Sequence, residues 1–299
     1  SRRSMQAELP AATLQAWLAT AEEVARAAGK MIREAHEQRS SGLKIESKGS
    51  TADAANVTVD LVTATDKACE DAIINTVKAR YPDHLFIGEE SSFAGPGQEA
   101  PTGPLELTDT PTWIIDPLDG TTNFVHGYPL VTVSIGLAAG GEIVLGVIYN
   151  PLMDELISAV RGGGTHLNGT RVSVGGATGV TDSLICNNMG SSRKPEVNRQ
   201  AVERLHALLQ ANVRGLRNSG SAAQNMMHVA CGRLDAYFED GFGGPWDVAA
   251  GKVIVEEAGG VFRDHLGGPF VLKAGKGQVL AGNESVVEDI ARVLRSVES

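Results

Sequence analysis

The chain has 299 residues, 42% of them apolar, and carries 26 Lys and Arg against 36 Asp and Glu, for a formal charge of −10. That is enough apolar material for one large domain or two modest ones with a substantial core. The acidic balance, with no basic run, gives no electrostatic footing for nucleic acid or a membrane surface, although metal ions can reverse charge locally and admit phosphate esters.

Ser1 to Met5 has no apolar stretch behind it, so no secretory signal is expected. Cys69, Cys186 and Cys231 are far apart and lack metal-type spacing, which predicts buried thiols in a reducing compartment, cytoplasmic or plastid. Leu14, Trp17, Leu18, Ala21, Val24, Ala25, Ala28 and Ile32 recur at helical spacing and predict a long amphipathic first helix. From Gly42 to Thr58 the chain turns small and polar without a period, including Lys44 and Lys48, and reads as a mobile loop. Thr65 or Asp66 is placed to cap a helix running to about Arg80, with Ala68, Ala72, Ile73 and Val77 on one face. Leu85-Phe86-Ile87 reads as a short strand ending in Gly88-Glu89-Glu90-Ser91, and the Pro- and Gly-rich residues 92–112 as a surface excursion.

Trp113-Ile-Ile-Asp116 reads as a buried strand with a carboxylate at its tip. Pro117 lacks a ladder donor and stops the strand, and Asp119-Gly-Thr-Thr122 makes a turn whose threonines can cap a helix. Residues 130–139, 142–150 and 155–160 predict a meander; Gly140-Gly141-Glu142 splits its most apolar window, so a hairpin fits better than a membrane span. The Asn-x-Ser/Thr matches at Asn56, Asn168 and Asn283 are chance without a secretory route.

Beyond Val180, strand (183–187), helix (196–211, with Val197, Ala201, Val202, Leu205, Leu208 and Leu209 as its face), strand, helix (221–231) and strand (234–238) alternate, which predicts helices covering a sheet. Gly241-Phe-Gly-Gly244 opens onto a helix near Trp246 with Asp247 in its first turn, and a last helix follows through Val286, Ile290 and Leu294.

Glu89, Asp116, Asp119 and Asp247 each sit at a strand end or helix start, where α/β folds build their sites. Four converging carboxylates would repel by about 4 kcal/mol per close pair at an effective dielectric near 20. The cluster makes sense only with hard divalent cations, and Mg²⁺, which keeps waters open for a phosphate, suits it. Asp116 and Asp119 are separated by two residues, so the Asp-x-Asp-Gly-Thr phosphoenzyme motif fails, and neither a P-loop nor an EF-hand is present. The Arg161-Gly-Gly-Gly164 run lacks dinucleotide spacing and is turn chemistry.

Asp60-Leu-Val-Thr-Ala-Thr-Asp66, Ile87-Gly-Glu-Glu-Ser91, Trp113-Ile-Ile-Asp-Pro-Leu-Asp-Gly-Thr-Thr-Asn-Phe-Val-His-Gly127 and Trp246-Asp-Val-Ala-Ala-Gly251 with Glu257-Ala-Gly-Gly260 together resemble the inositol monophosphatase family, from about residue 13 to 298. The resemblance implies a single domain over 1–299 with the layered αβαβα sandwich of the sugar phosphatases, an α/β fold with halves at about 13–178 and 179–299, forming a homodimer. It implies two or three Mg²⁺ ions per site, with Glu89, Asp116 and the Leu118 carbonyl holding one and Asp116, Asp119 and Asp247 another. Thr121, bonded to Asp66, would help deprotonate the attacking water, which Glu89 also orients, and no phosphoenzyme forms.

The amides of Gly120 and Thr121 would grip phosphate, while Gly220, Ser221, Ala222 and Glu239 match the polyol-binding segment, with Asp119 and Asp247 beside them. The implied substrate is inositol monophosphate or another small polyol or sugar phosphate, and lithium inhibition is implied as well. The Gly241 to Asp247 loop resembles the plant and algal branch, whose members also hydrolyse L-galactose 1-phosphate. Histidinol phosphate, fructose 1,6-bisphosphate and 3′-phosphonucleotides share the Asp-Pro-Leu/Ile-Asp-Gly-Thr core among their enzymes, and some relatives are non-catalytic regulatory dimers. Lys48 resembles a family lysine, but an insertion separates it from Asp60. If the carboxylates share ions, Mg²⁺ should raise the melting temperature and a chelator lower it, whereas a melting curve indifferent to both would remove the shared site.

Overall fold

The structure, a computed structural model, describes residues 9–38, 45–47, 61–92, 103–190 and 192–298. Among these residues helices α1 (Ala11–Glu37) and α2 (Ala64–Arg80) cover one face of a seven-stranded sheet. The sheet runs β3 (Leu85–Gly88), β4 (Thr112–Asp119), β5 (Thr132–Ala139), β6 (Glu142–Asn150), β7 (Glu155–Val160), β8 (Gly164–Leu167) and β9 (Thr170–Val172) in order, with β3 and β4 parallel and the rest antiparallel. A separate antiparallel pair joins β1 (Ile45–Ser47) to β2 (Leu61–Thr63).

The other face of the large sheet packs on α6 (Ala222–Ala230) and α7 (Pro245–Glu257). These helices lie in turn on a five-stranded sheet of β10 (Leu184–Asn188), β11 (Gly215–Arg217), β12 (Ala236–Phe242), β13 (Val261–Arg263) and β14 (Gly277–Gly282), in the order β11-β10-β12-β14-β13. Helices α5 (Pro195–Gln210) and α8 (Glu284–Glu298) close its far side. The result is the five-layer αβαβα sandwich. Among the described residues no helix is long and apolar enough to cross a membrane.

Side-chain alternation along each strand divides the layers. Trp113 and Ile115 point to α1 and α2, while Ile114 points to α7. In the second sheet Cys186 and Tyr237 face α6 and α7, while Ile185 and Phe238 face α5 and α8. Helix α7 lies directly on the sheet backbone because residue 146 has no side chain: a Cβ there would stand 2.4 Å from the Ala250 carbonyl oxygen.

Several local expectations are corrected. The residue capping α2 is Thr63, whose hydroxyl accepts from the Thr65 amide, while Asp66 at the third helical position bonds back to the Thr63 amide in a capping box. Ala68 is exposed, and the buried stripe is Cys69, Ile73 and Val77 with Asp66 and Glu70 at its head. Strand β4 does not stop at Pro117; it continues to Asp119 through a register shift between Asp116 and Asp119, a bulge that accommodates a residue without an N–H. On α5, Leu208 is buried as expected, but Val202 and Leu209 are exposed, and Arg204 is buried as well, ion-paired with Asp240 at 2.6 Å and with Glu298. Strands β13 and β14 have no counterpart in the predicted elements. The expected loop over 42–58 lies mostly outside the described residues, Lys48 included.

Burial pushes the Cys69 thiol up to about 12 and that of Cys186 up to about 11. A disulfide-exchange reagent at neutral pH should therefore leave both untouched in the native protein, reach half-buried Cys231 first, and titrate all three only after unfolding.

Candidate active site

Strands β3 and β4 are parallel, with Gly88 opposite Ile115, so their C-terminal ends lie side by side. The chain leaves β3 directly into the four-residue helix α3 (Glu89–Ser92), which starts with Glu89. Asp116 follows Ile114 by two residues and shares its face, toward the layer of α6 and α7. Its neighbour on β5, Ser134, donates to the Trp246 carbonyl at 3.2 Å, which ties the start of α7 to this strand end. Asp247 sits in the first turn of α7, where the helix dipole favours a carboxylate, and its Oδ2 accepts from the Gly243 amide at 2.6 Å.

The carboxylates feel one another. Burial, then the charges of Glu89, Asp119 and Asp247, hold Asp116 well above the ordinary carboxylate range. Burial, then Asp119, Glu89 and Glu239, do the same to Asp247. Asp119 is pushed up to about 6 by burial, while the Ser221 hydroxyl and the Ala223 amide pull it down. The four sequence-predicted carboxylates therefore meet at one end of the middle helical layer. Among the described residues no three His, Cys, Asp or Glu side chains stand at the spacing of a finished metal cage. Clustered carboxylates of this kind, with Glu89, Asp119 and Asp247 around Asp116, are nonetheless the donor set that hard divalent ions take.

Asp119 has a second set of partners. Its Oδ2 accepts from the Ser221 hydroxyl at 2.5 Å, the Ala223 amide at 2.7 Å and the Thr132 hydroxyl at 3.4 Å, while Oδ1 receives only a long contact of 3.4 Å from the Ala222 amide. The carboxylate thus occupies the N-terminus of α6, whose N-cap is Ser221. Oδ1 is the less engaged of the two oxygens.

Helix α4 (Thr121–His126) begins at Gly120 with φ +93°, a conformation that favours glycine, and a Cβ there would lie 2.9 Å from the Leu130 carbonyl. Its threonines make no cap, contrary to the sequence reading. The Thr121 hydroxyl points instead to Asp66 Oδ1 at 3.2 Å and to the Leu118 carbonyl at 3.3 Å. Asp66 is buried, and its Oδ2 accepts from both the amide (2.9 Å) and the hydroxyl of Thr63. Its aim at Thr121 is therefore fixed from the far side. Asn123 donates to the carbonyls of Leu130 and Ser219, each at 2.7 Å, and so docks the 219–221 turn on α4.

Glu239 follows Tyr237 by two residues and faces the same middle layer. Asn188 Nδ2 at 3.0 Å and the Tyr237 hydroxyl both donate to its Oε2, and burial pushes it up to about 7. Asn188 Oδ1 in turn accepts from the Gly220 amide at 3.2 Å. Asn188 and Tyr237 were not singled out in the sequence, nor were Thr63, Glu70 and Asn123. Asn188 lies at the end of β10, parallel to β12, and the strand-end argument that selects Asp116 would have found it.

In metal-free protein the cluster contributes stability that is present at low pH and is lost as pH rises from about 4, the unfolded carboxylate value, through the folded value of Asp119 near 6. The melting temperature in chelator should accordingly fall across that window, and saturating Mg²⁺ should flatten the fall; parallel profiles with and without Mg²⁺ would contradict the electrostatic account.

The model of the inositol monophosphatase family matches residues 13–299. Inositol monophosphatase 3 of Solanum lycopersicum is 47% identical over 248 residues, 83% of this chain and 85% of its own length. Among solved structures, the extragenic suppressor protein suhB from Bartonella henselae aligns with a TM-score of 0.79 at 33% identity, over 94% of this chain and 98% of that one. The inositol monophosphatase from Anabaena aligns with a TM-score of 0.74 at 33% identity, over 95% and 97%.

Proposed function

Because the chain belongs to the inositol monophosphatase family, a family of metal-dependent phosphoric monoester hydrolases, we propose that it is a Mg²⁺-dependent phosphatase converting inositol monophosphate into free polyol and phosphate, acting as a homodimer. The observation that carries this reading is the meeting of Glu89, Asp116, Asp119 and Asp247 beside the Asp66–Thr121 hydrogen bond. Glu89, Asp116 and the Leu118 carbonyl would hold one ion, and Asp116, Asp119 and Asp247 a second. When bound, Mg²⁺ neutralises the carboxylates and supplies Lewis-acid stabilisation of phosphoryl and leaving oxygens.

The protein's own groups do the rest. The first amides of α4, at Gly120 and Thr121, have no partners within the helix and suit phosphate oxygens. Thr121 gives its proton to Asp66, so its oxygen lone pairs face the attacking water and accept from it, with Asp66 as the sink behind the hydroxyl. Water adds to phosphorus as the ester bond breaks, and the departing alkoxide takes up a proton to become the alcohol. At the alcohol end, both donors to Glu239 fall on Oε2, which leaves Oε1 for a polyol hydroxyl. Gly220, Ser221 and Ala222 bear on that end through Asn188 and Asp119.

The test is phosphate release with Mg²⁺ from inositol 1-phosphate, L-galactose 1-phosphate, fructose 1,6-bisphosphate, histidinol phosphate and a 3′-phosphonucleotide, ranked by kcat/KM. Inositol 1-phosphate is expected to lead; release from none of them would leave a binding module. Thr121→Ala should cut kcat by roughly 10²- to 10⁴-fold with KM little changed. A change confined to KM would reassign Thr121 to substrate binding.

A further inference from the structure

A carboxylate outside the proposed machinery is buried at its edge. Glu70 on α2 is 3% exposed, and its two oxygens accept from two consecutive amides: Oε2 from Glu90 at 2.9 Å and Oε1 from Ser91 at 2.8 Å. These are amides of α3, the turn that begins with Glu89. A four-residue helix has almost no internal hydrogen bonding to hold its own shape, so the clamp from α2 fixes it. The clamp has room only because residue 88 is glycine: a Cβ there would fall 2.5 Å from the Glu70 carboxyl carbon. Burying a carboxylate is costly unless charge-assisted bonds satisfy it, and here both bonds are spent on one turn.

We infer that Glu70 is a positioning residue for the reaction, holding the Glu89 carboxylate toward Asp116; this rests on the reading of Glu89 as a ligand of the divalent ion. The geometry has a second part. Asp66 and Glu70 are one helical turn apart on the same face of α2, about 5–6 Å between their Cβ atoms. Asp66 reaches Thr121 and Glu70 reaches the turn of Glu89. Cys69, Ile73 and Val77 anchor the same helix in the core. One rigid element thus spaces the hydroxyl that takes part in water activation from the carboxylate that would bind metal.

Mg²⁺ binding to the full chain, followed by calorimetry without substrate, tests this together with the Mg²⁺ half-saturation of phosphate release. Glu70→Gln keeps the shape but turns an NH₂ group toward one amide. It should weaken Mg²⁺ binding and raise the half-saturation by roughly 10- to 100-fold, with kcat at saturating Mg²⁺ within about threefold of wild type. Gly88→Ala, which removes no polar group, should reproduce that signature by pushing the carboxylate off the turn, and it carries the test if Glu70→Gln yields little folded protein. A merely structural Glu70 would lower the melting temperature in chelator and leave Mg²⁺ affinity at the wild-type value. Wild-type affinity in both variants alongside lost affinity in Glu89→Gln would overturn the positioning role and keep the reading of Glu89; wild-type affinity in Glu89→Gln as well would overturn both.

Discussion

Repulsion among buried like charges is the constraint around which the molecule is arranged. Asp116 and Asp247 come from different layers of the sandwich, and the charge of Asp247 raises the proton affinity of Asp116 while those of Asp119 and Glu89 raise that of Asp247. Bringing them together costs free energy in the absence of a cation, so the scaffold must hold them by other means. It does so with β4 in a fully buried sheet and α7 against the bare backbone at Gly146, both set away from the site, and with the N-terminal amides of α6 on Asp119. The apolar layers pre-organise what the carboxylates alone would push apart.

The middle helical layer explains why both sheets contribute. Residues two apart on a strand share a face, so Ile114 predicts the direction of Asp116 and Tyr237 that of Glu239. The two carboxylates come from opposite walls toward the same helical layer. The groups proposed to bind metal belong mostly to the larger sheet, and the one proposed for the alcohol, Glu239, belongs to the smaller one. The helix starts of α6 and α7 lie between them. On the proposed roles, a substrate spanning that space would have its phosphate and its alcohol read by different sheets.

Much of this was legible in the sequence. The strand-end position of Glu89, the first-turn place of Asp247 and the helical period of α1 follow from pattern alone, and four separated motifs in order identified the family. What escaped was set by long-range geometry. Pro117 looked like a terminator because its missing N–H is a local property, whereas the bulge that tolerates it depends on β5. Local pattern reads Thr121 as a cap because threonine often is one; only the family resemblance gives its bond to Asp66, 55 residues earlier. On α5 Leu208 keeps its place in the core, but Val202 and Leu209 are exposed and Arg204 is buried, because Asp240 and Glu298 neutralise it from elements remote in sequence. Strands β13 and β14 have no local signature strong enough to stand apart from their glycine-rich surroundings.

Asp119 carries a consequence for descent. The same carboxylate that would help bind an ion also takes the amides and hydroxyl at the start of α6, and so joins the larger sheet to the layer beneath it. Asp116 accepts from its own strand, at the Leu118 amide, and among the described residues has no comparable hold on another layer. A lineage released from catalysis could lose the acid at 116 and keep its architecture, while position 119 would stay under selection for the fold. Acidic residues surviving at 119 beside neutral ones at 116 would mark former enzymes retained as scaffolds.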